Sequence, residues 1–318
     1  MFANFLDKEW RLQELEHYRR HAEERLLPFW RRASDEQYGG VFTCYSNEGD
    51  RLVSTDKFTW SQGRYLWLWS RIARMCADGL LGGNAGDYSL QARRTFEFLD
   101  RHAFLEDGTT CFLLTREGER KEATPGSGYH LSFYADCFVV LGYAEFARLT
   151  GDTAVLDKAL RLYRNIEERL LAGQVRSEPY PVPPGYAAHG FSMIMLNVSQ
   201  ELADAAERLG NPAAATLRAN SSRYMEDVMF RFRGERNDLI AEILPVAREV
   251  DPETLLARHI NPGHSIECMW FVMHEALRQS RPDLIRKALD VVEATFRIGW
   301  DEQYGGLFRY VDRDGGAP

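Results

Sequence analysis

The histidine at position 264 has the setting in this sequence that best suits acid–base chemistry. In Asn261-Pro-Gly-His264, the asparagine can cap a helix and the proline suits the first helical position. His264 then falls in the first turn, where the helix dipole disfavours an imidazolium and favours a neutral ring that accepts a proton. Glu267 lies on the same helix face and could orient the ring or bind a hydroxyl group. The alternative is an ordinary polar residue at a helix start.

Two other segments carry further polar candidates. Arg64 lies mid-helix near Trp60 and Trp67, and a guanidinium there needs an acceptor, such as an enediolate or carbonyl oxygen. A structural salt bridge is the other interpretation. Asn197 can form hydrogen bonds but cannot shuttle protons, and it could equally serve helix packing. Histidine and arginine side chains together suit the removal of a proton next to a carbonyl group.

A repeated hexapeptide indicates the architecture that must position these side chains. Asp-Glu-Gln-Tyr-Gly-Gly occurs at Asp35–Gly40 and again at Asp301–Gly306. Each copy follows a helix-like stretch and runs into a short segment of alternating apolar residues. The paired glycines supply a positive φ or a close backbone approach, so each copy predicts a helix–turn–strand unit. We therefore expect similar helical layers with their turns in equivalent places, coincidence being the alternative.

Helical periodicity dominates the rest of the chain. It predicts nine long helices, over Leu12–Trp30, Trp60–Met75, Tyr88–His102, Leu131–Leu149, Thr153–Leu171, Phe191–Leu209, Pro212–Phe230, Pro262–Gln279 and Pro282–Arg297. Consecutive helix pairs joined by short turns favour an all-α (α/α)6 toroid with short β-hairpins in its loops. No linker divides the chain, so we expect a single domain over residues 1–318. A closed ring needs about twelve helices, so this one is expected to be incomplete at its C-terminus.

Composition and charge exclude several classes of function. The 318 residues carry a net charge of −8, from 39 basic and 47 acidic residues. We therefore expect neither nucleic acid nor an anionic membrane as a partner. The N-terminal residues show no signal peptide, and the five cysteines lack CxxC spacing, which favours reduced thiols in a cytoplasmic protein. His17 and His21 could hold zinc by spacing, but no further ligands complete a site, so no metal is predicted.

Several motifs together resemble the N-acylglucosamine 2-epimerase family, whose relatives include cellobiose 2-epimerases and mannose isomerases. They are the two hexapeptides, Lys57-Phe-Thr-Trp60-Ser-Gln-Gly63-Arg64-Tyr-Leu-Trp67, Ser132-Phe-Tyr-Ala-Asp136-Cys and Asn261-Pro-Gly-His264-Ser-Ile-Glu267-Cys-Met-Trp270. The resemblance implies an (α/α)6 barrel that acts on an open-chain sugar without a metal or redox cofactor. An effector role for ATP and a homodimer are expectations from the resemblance only.

The resemblance also implies a role for each candidate residue. Inverting C2 of an aldose removes a proton next to the carbonyl and returns one on the opposite face. His264 would be one of two acid–bases and Arg64 would stabilise the enediolate oxygen, both facing one pocket. Trp60, Asn197 and Glu267 would bind the substrate. In the family the second histidine lies in about three further helices, which would follow Pro318 here, so the chain would be a fragment or an incomplete relative.

Other activities stay open at this point. Asn197 occupies a position where cellobiose epimerases and mannose isomerases tend to have histidine, which favours N-acyl-hexosamine 2-epimerase over aldose–ketose isomerase. A non-catalytic relative that binds a sugar or a protein is a third possibility. An inverting glycosidase on the same ring would need two carboxylates across a cleft, for which Asp136 and Glu267 are conceivable.

Overall fold

The computed structural model describes residues 7–315, and the chain divides between Arg176 and Ser177 into two compact units. The first unit contains α1 (Lys8–His21), α2 (Leu27–Arg32), β1 (Cys44–Tyr45), β2 (Leu52–Ser54), β3 (Lys57–Phe58), α3 (Thr59–Ala77), α4 (Ala85–His102), β4 (Leu113–Leu114), β5 (Arg120–Lys121), α5 (Phe133–Thr150) and α6 (Thr153–Leu171). The second contains β6 (Tyr186–Ala188), α7 (His189–Arg208), α8 (Ala214–Asp227), β7 (Ile243–Pro245), α9 (Leu255–Arg258), β8 (His259–Ile260), α10 (Pro262–Arg278), α11 (Pro282–Gly299) and β9 (Val311–Asp312).

Helices α3 and α5 form the centre of the first unit. They approach closely because Gly63 and Gly142 have no side chains at their crossing. A Cβ on Gly63 would lie 2.4 Å from the backbone of Phe138, and one on Gly142 would lie 2.6 Å from the carbonyl oxygen of Gly63. The contact therefore places Arg64, the residue after Gly63, directly beside α5.

Two helix pairs, α7 with α8 and α10 with α11, build the second unit. Helix α11 buries one stripe, formed by Leu284, Ala288, Val291 and Thr295, which is the spacing of an amphipathic helix. Strands β6 and β7 pair antiparallel, with Ala188 opposite Ile243. This pairing brings the start of α7 next to the residues that precede β7.

Similar turns follow four helical segments, and the one after Phe104 is a residue shorter than the other three. Isolated antiparallel bridges close these turns at Ser34–Val41, Phe104–Thr110, Arg233–Ile240 and Trp300–Leu307. In both hexapeptide copies the aspartate N–H donates to the sixth residue's carbonyl, and the fifth residue's N–H donates to the aspartate carbonyl, each at 2.9 Å. The prediction that each copy forms a turn directly after a helix is therefore confirmed.

The predicted helices are all present among residues 7–315, with local differences. The first contains a π-helical stretch, Ala22–Leu26, and a second such stretch, Val228–Phe232, follows α8. Pro212 was expected at the first helical position, but α8 begins at Ala214 because the Asn211 side chain holds a turn there by accepting from the Ala213 N–H at 3.0 Å. No helix in residues 7–315 has the length and apolarity needed to cross a membrane.

Candidate active site

Helix α10 begins as the sequence predicts. Asn261 is its N-cap, and its Oδ1 accepts a hydrogen bond from the backbone N–H of His264 at 3.2 Å. Pro262 occupies the first position, where a backbone N–H would have no partner within the helix. His264 therefore lies in the first turn, with 46% of its side chain exposed.

A glutamate 22 residues earlier in the chain holds the His264 ring. Nδ1 of His264 lies 2.8 Å from Oε1 of Glu242, at hydrogen-bond distance. Glu242 directly precedes β7, and its backbone carbonyl accepts from the N–H of His189 at 3.0 Å, next to the β6–β7 ladder. Its side chain is only 14% exposed. The sheet thus carries a largely buried carboxylate to the start of α10.

This carboxylate reverses the direction of the pKa shift expected for His264. Burial alone would raise the pKa of Glu242, but the two neighbouring histidines, His189 and His264, lower it to about 2. Burial alone would lower the pKa of His264, but the hydrogen bond and charge of Glu242 raise it above its ordinary value. The expectation that imidazolium is disfavoured at this position is therefore wrong, because a full charge at hydrogen-bond distance outweighs a partial one.

His189 lies on the other side of Glu242 and is fully buried. Its Nδ1 is 3.7 Å from Glu242 Oε2, and neither ring nitrogen has a hydrogen-bond partner among the described residues. The ring meets Phe232 edge-on, with the ring centroids 5.8 Å apart. Sequence reasoning missed both His189 and Glu242, since each is an isolated residue whose partner is distant in the chain.

The other two candidates of this unit, Glu267 and Asn197, lie on helices α10 and α7. Glu267 is exposed one turn after His264, and its charge also raises the pKa of the histidine. It makes no hydrogen bond to the His264 ring, so Glu242 rather than Glu267 orients it. Asn197 is half-buried on α7. A role in binding substrate hydroxyl groups stays a prediction for both.

Arg64 and Trp60 lie one turn apart on the same face of α3 in the first unit. The exposed Arg64 places its guanidinium 4.0 Å from the ring centroid of Phe138 on α5. Trp60 is half-buried and packs edge-on against Phe112, with centroids 5.6 Å apart. Aromatic contacts thus hold both side chains, although the ring that Arg64 meets is Phe138 of α5 and not a tryptophan of its own helix.

Asp136 has a structural environment that does not suit a glycosidase carboxylate. It is fully buried near the start of α5. Its Oδ1 accepts from the N–H and hydroxyl of Thr110 at 2.8 and 2.7 Å, and its Oδ2 contacts Arg169 at 2.5 Å and His130 at 3.1 Å. The carboxylate is fully occupied in tying a hairpin to α5, which counts against the glycosidase alternative.

The described residues contain no cluster of three or more histidine, cysteine or carboxylate side chains arranged to hold a metal ion. His17 and His21 lie exposed on α1.

Relatives of this protein match most of the chain. The N-acylglucosamine 2-epimerase of Mus musculus is 27% identical over 310 residues, which are 93% of this chain and 68% of that protein. The Homo sapiens N-acylglucosamine 2-epimerase is 27% identical over 315 residues, covering 93% of this chain and 66% of that protein. The chain thus spans about two thirds of the length of these relatives. A cellobiose 2-epimerase of Bacteroides fragilis is 30% identical over 151 residues, 47% of this chain and 35% of that protein.

Solved structures share the fold at low identity. A sugar epimerase from a ruminal bacterium has a TM-score of 0.74 at 17% identity, covering 95% of this chain and 76% of that one. A D-mannose isomerase has a TM-score of 0.71 at 16% identity, covering 95% and 75%. These neighbours confirm the predicted fold class, (α/α)6 with short hairpins in its loops. The family model described as N-acylglucosamine 2-epimerase matches residues 40–318, so this chain belongs to that family of carbohydrate isomerases.

Proposed function

We propose that the protein interconverts N-acyl-D-glucosamine and N-acyl-D-mannosamine by inverting C2 of the open-chain sugar. Family membership and relatives named for this reaction support the proposal. The observation that carries it is the half-exposed ring of His264, whose Nδ1 is paired with a buried carboxylate. Its Nε2 makes no hydrogen bond within residues 7–315 and is free to exchange a proton.

The chemistry follows from the two protonation states of His264. In its neutral form Nε2 accepts the C2 proton, the C2–H bond breaks, and the electron pair forms the C1–C2 double bond of an enolate as the carbonyl oxygen gains charge. In its cationic form the same nitrogen donates a proton to C2 of the enolate in the reverse reaction, after the other acid–base has deprotonated the other epimer. Glu242 stabilises the imidazolium form and so raises the pKa of His264 above its ordinary value. Inversion also requires a second acid–base on the opposite face.

The remaining roles extend the sequence predictions. Arg64 stabilises the enolate oxygen through its planar guanidinium. Trp60, Asn197 and Glu267 bind the sugar by stacking and by hydrogen bonds to its hydroxyl groups. A reaction without a metal or redox cofactor, an effector role for ATP, a cytoplasmic location, a homodimer and a single domain stay predictions. So does the expectation that Arg64 and His264 act on one substrate.

Proton exchange at C2 tests the proposal directly. In deuterated water, the full protein should convert N-acetyl-D-mannosamine into N-acetyl-D-glucosamine with deuterium at C2. His264→Asn retains hydrogen-bonding capacity but lacks the titrating nitrogen, so exchange should fall by about 10²–10⁴-fold. Conversion of mannose to fructose instead would favour the aldose–ketose isomerase, and binding without exchange would favour a sugar-binding relative. Near-normal exchange by the variant would reject His264 as the acid–base.

A further inference from the structure

The pairing of His264 with Glu242 is asymmetric in a way that bears on proton transfer. One oxygen of Glu242 contacts the His264 ring at 2.8 Å. The other is buried, lies 3.7 Å from the nearest His189 nitrogen, and has no hydrogen-bond partner among residues 7–315. His264 is therefore the only side chain in that part of the protein that satisfies this carboxylate by a hydrogen bond. A largely buried carboxylate with a single donor strongly favours a proton on that donor.

We propose that Glu242 is a positioning residue for His264, which fixes the neutral ring as the Nδ1–H tautomer and leaves Nε2 as the atom that exchanges protons. Since the Glu242 side chain is only 14% exposed, water competes poorly for its oxygen. The backbone holds the carboxylate in place, because the Glu242 carbonyl accepts from the N–H of His189 at 3.0 Å beside the β6–β7 ladder. The ring thus presents one defined nitrogen to a substrate.

The neighbouring charged groups set the direction of the effect on titration. Glu242 and the exposed Glu267 favour the imidazolium form of His264, whereas burial and Arg309 disfavour it. The fully buried His189 faces Glu242 from the start of α7 and bears on His264 only through that carboxylate. Without the charge of Glu242, burial is the largest influence on the pKa of His264 and lowers it. Only the charge of Glu267 then acts in the opposite direction.

Nuclear magnetic resonance of 15N-labelled histidine rings reports both the tautomer and the titration, and His264→Asn assigns the signal. In the wild-type chain the neutral His264 ring should carry its proton on Nδ1. Glu242→Gln keeps an acceptor but removes the charge, so the tautomer should persist while the titration midpoint moves from above 6.5 to below it. Glu242→Leu removes the acceptor, so the preference for Nδ1–H should be lost.

Glu275→Gln is the matched control. Glu275 is a second buried glutamate of the same unit, with a pKa lowered to about 2, but its partners are Ser221, Ser222, Arg278 and Gln279. Its loss should leave the tautomer and titration of His264 unchanged. A neutral wild-type His264 ring protonated on Nε2 would overturn the proposal. An unchanged midpoint in Glu242→Gln would overturn it as well.

The inference rests on the proposed function only in assigning proton exchange to Nε2. If the protein is the proposed epimerase, Glu242→Gln should lower kcat by less than the roughly 10²–10⁴-fold loss expected for His264→Asn, with KM little changed. Its pH–rate profile should also shift to lower pH, whereas Glu275→Gln should show neither change. The tautomer measurement does not depend on turnover, so failure of the proposed reaction and failure of the positioning role are distinguishable.

Discussion

The two copies of the hexapeptide make the same turn in different surroundings. In each, the aspartate Oδ1 accepts from the backbone N–H groups two and three residues later, at 3.1 and 3.3 Å in the first copy and 2.9 and 3.0 Å in the second. Asp35 is buried and also contacts Lys57 and Arg116, each at 3.0 Å. Asp301 has no cationic partner within residues 7–315.

The residue that follows each turn shows the same contrast. Val41 is fully buried, and the side-chain amide of Gln62 bonds both its N–H and its carbonyl at 2.8 Å. Leu307, at the equivalent bridge, is 39% exposed. The backbone of the turn thus depends on its own six residues, whereas its burial and ion pairing depend on what other elements provide.

Removing the aspartate charge should produce the largest difference in stability loss between the two copies. Asp35→Asn leaves the fully buried Lys57 without its counter-charge, which typically costs about 3–5 kcal/mol of unfolding free energy. Asp301→Asn changes the same residue of the same hexapeptide but disturbs only the local turn, so it should cost at most about 1 kcal/mol. Urea denaturation of both variants measures the difference. Equal losses would show that the buried ion pair adds no stability.

Adding a methyl group to the fifth residue of each copy should give a smaller difference. Gly39 and Gly305 both have positive φ, +84° and +75°, so alanine strains either turn by about 1 kcal/mol. A Cβ on Gly39 would also lie 2.6 Å from the carbonyl oxygen of Arg94, whereas the nearest atom to one on Gly305 is 3.8 Å away. Gly39→Ala should therefore cost about 1–3 kcal/mol more than Gly305→Ala in thermal unfolding. Comparable melting temperatures would show that the neighbouring helix yields.

Acidification should give the smallest effect, a gradual change in the stability that Asp35 contributes. Burial alone would raise the pKa of Asp35, but hydrogen bonds from Arg116 and Lys57 lower it to about 2, below the ordinary 3.8. A carboxyl with a lowered folded-state pKa stabilises the protein above its ordinary value and loses that contribution as the pH falls towards 2. The stability gap between wild type and Asp35→Asn should therefore narrow over this range. A gap that stays constant with pH would contradict the pairing, and the Asp301→Asn gap serves as the reference.

Local residue patterns account for much of the fold and part of the candidate site. The Asn261 cap and Pro262 at the helix start are both as predicted, because each depends on a few adjacent residues. Arg64 does lie against an aromatic ring, but that ring is Phe138 of α5, which local spacing could not predict. Pro212 was misplaced because the Asn211 turn competes with the helix for the same residues.

The direction of the His264 pKa shift could not be predicted from local residue patterns. His264 was expected to be neutral from its helix position, yet Glu242 comes from the edge of a sheet, and His189 from the start of another helix. Neither Glu242 nor His189 stands out in the sequence, since strand pairing rather than sequence spacing brings the two residues together. A histidine's pKa depends on charges within a few ångströms, whatever their distance along the chain.

The sequence by itself determined the helices, their caps and the six-residue turns, because these depend on backbone hydrogen bonds among near neighbours. Only the tertiary structure decided which aspartate of the repeated turn is neutralised by Lys57 and which carboxylate holds His264. The physical reason is the range of the interactions. Turn formation is local, whereas burial and ion pairing need groups that only the folded chain brings together.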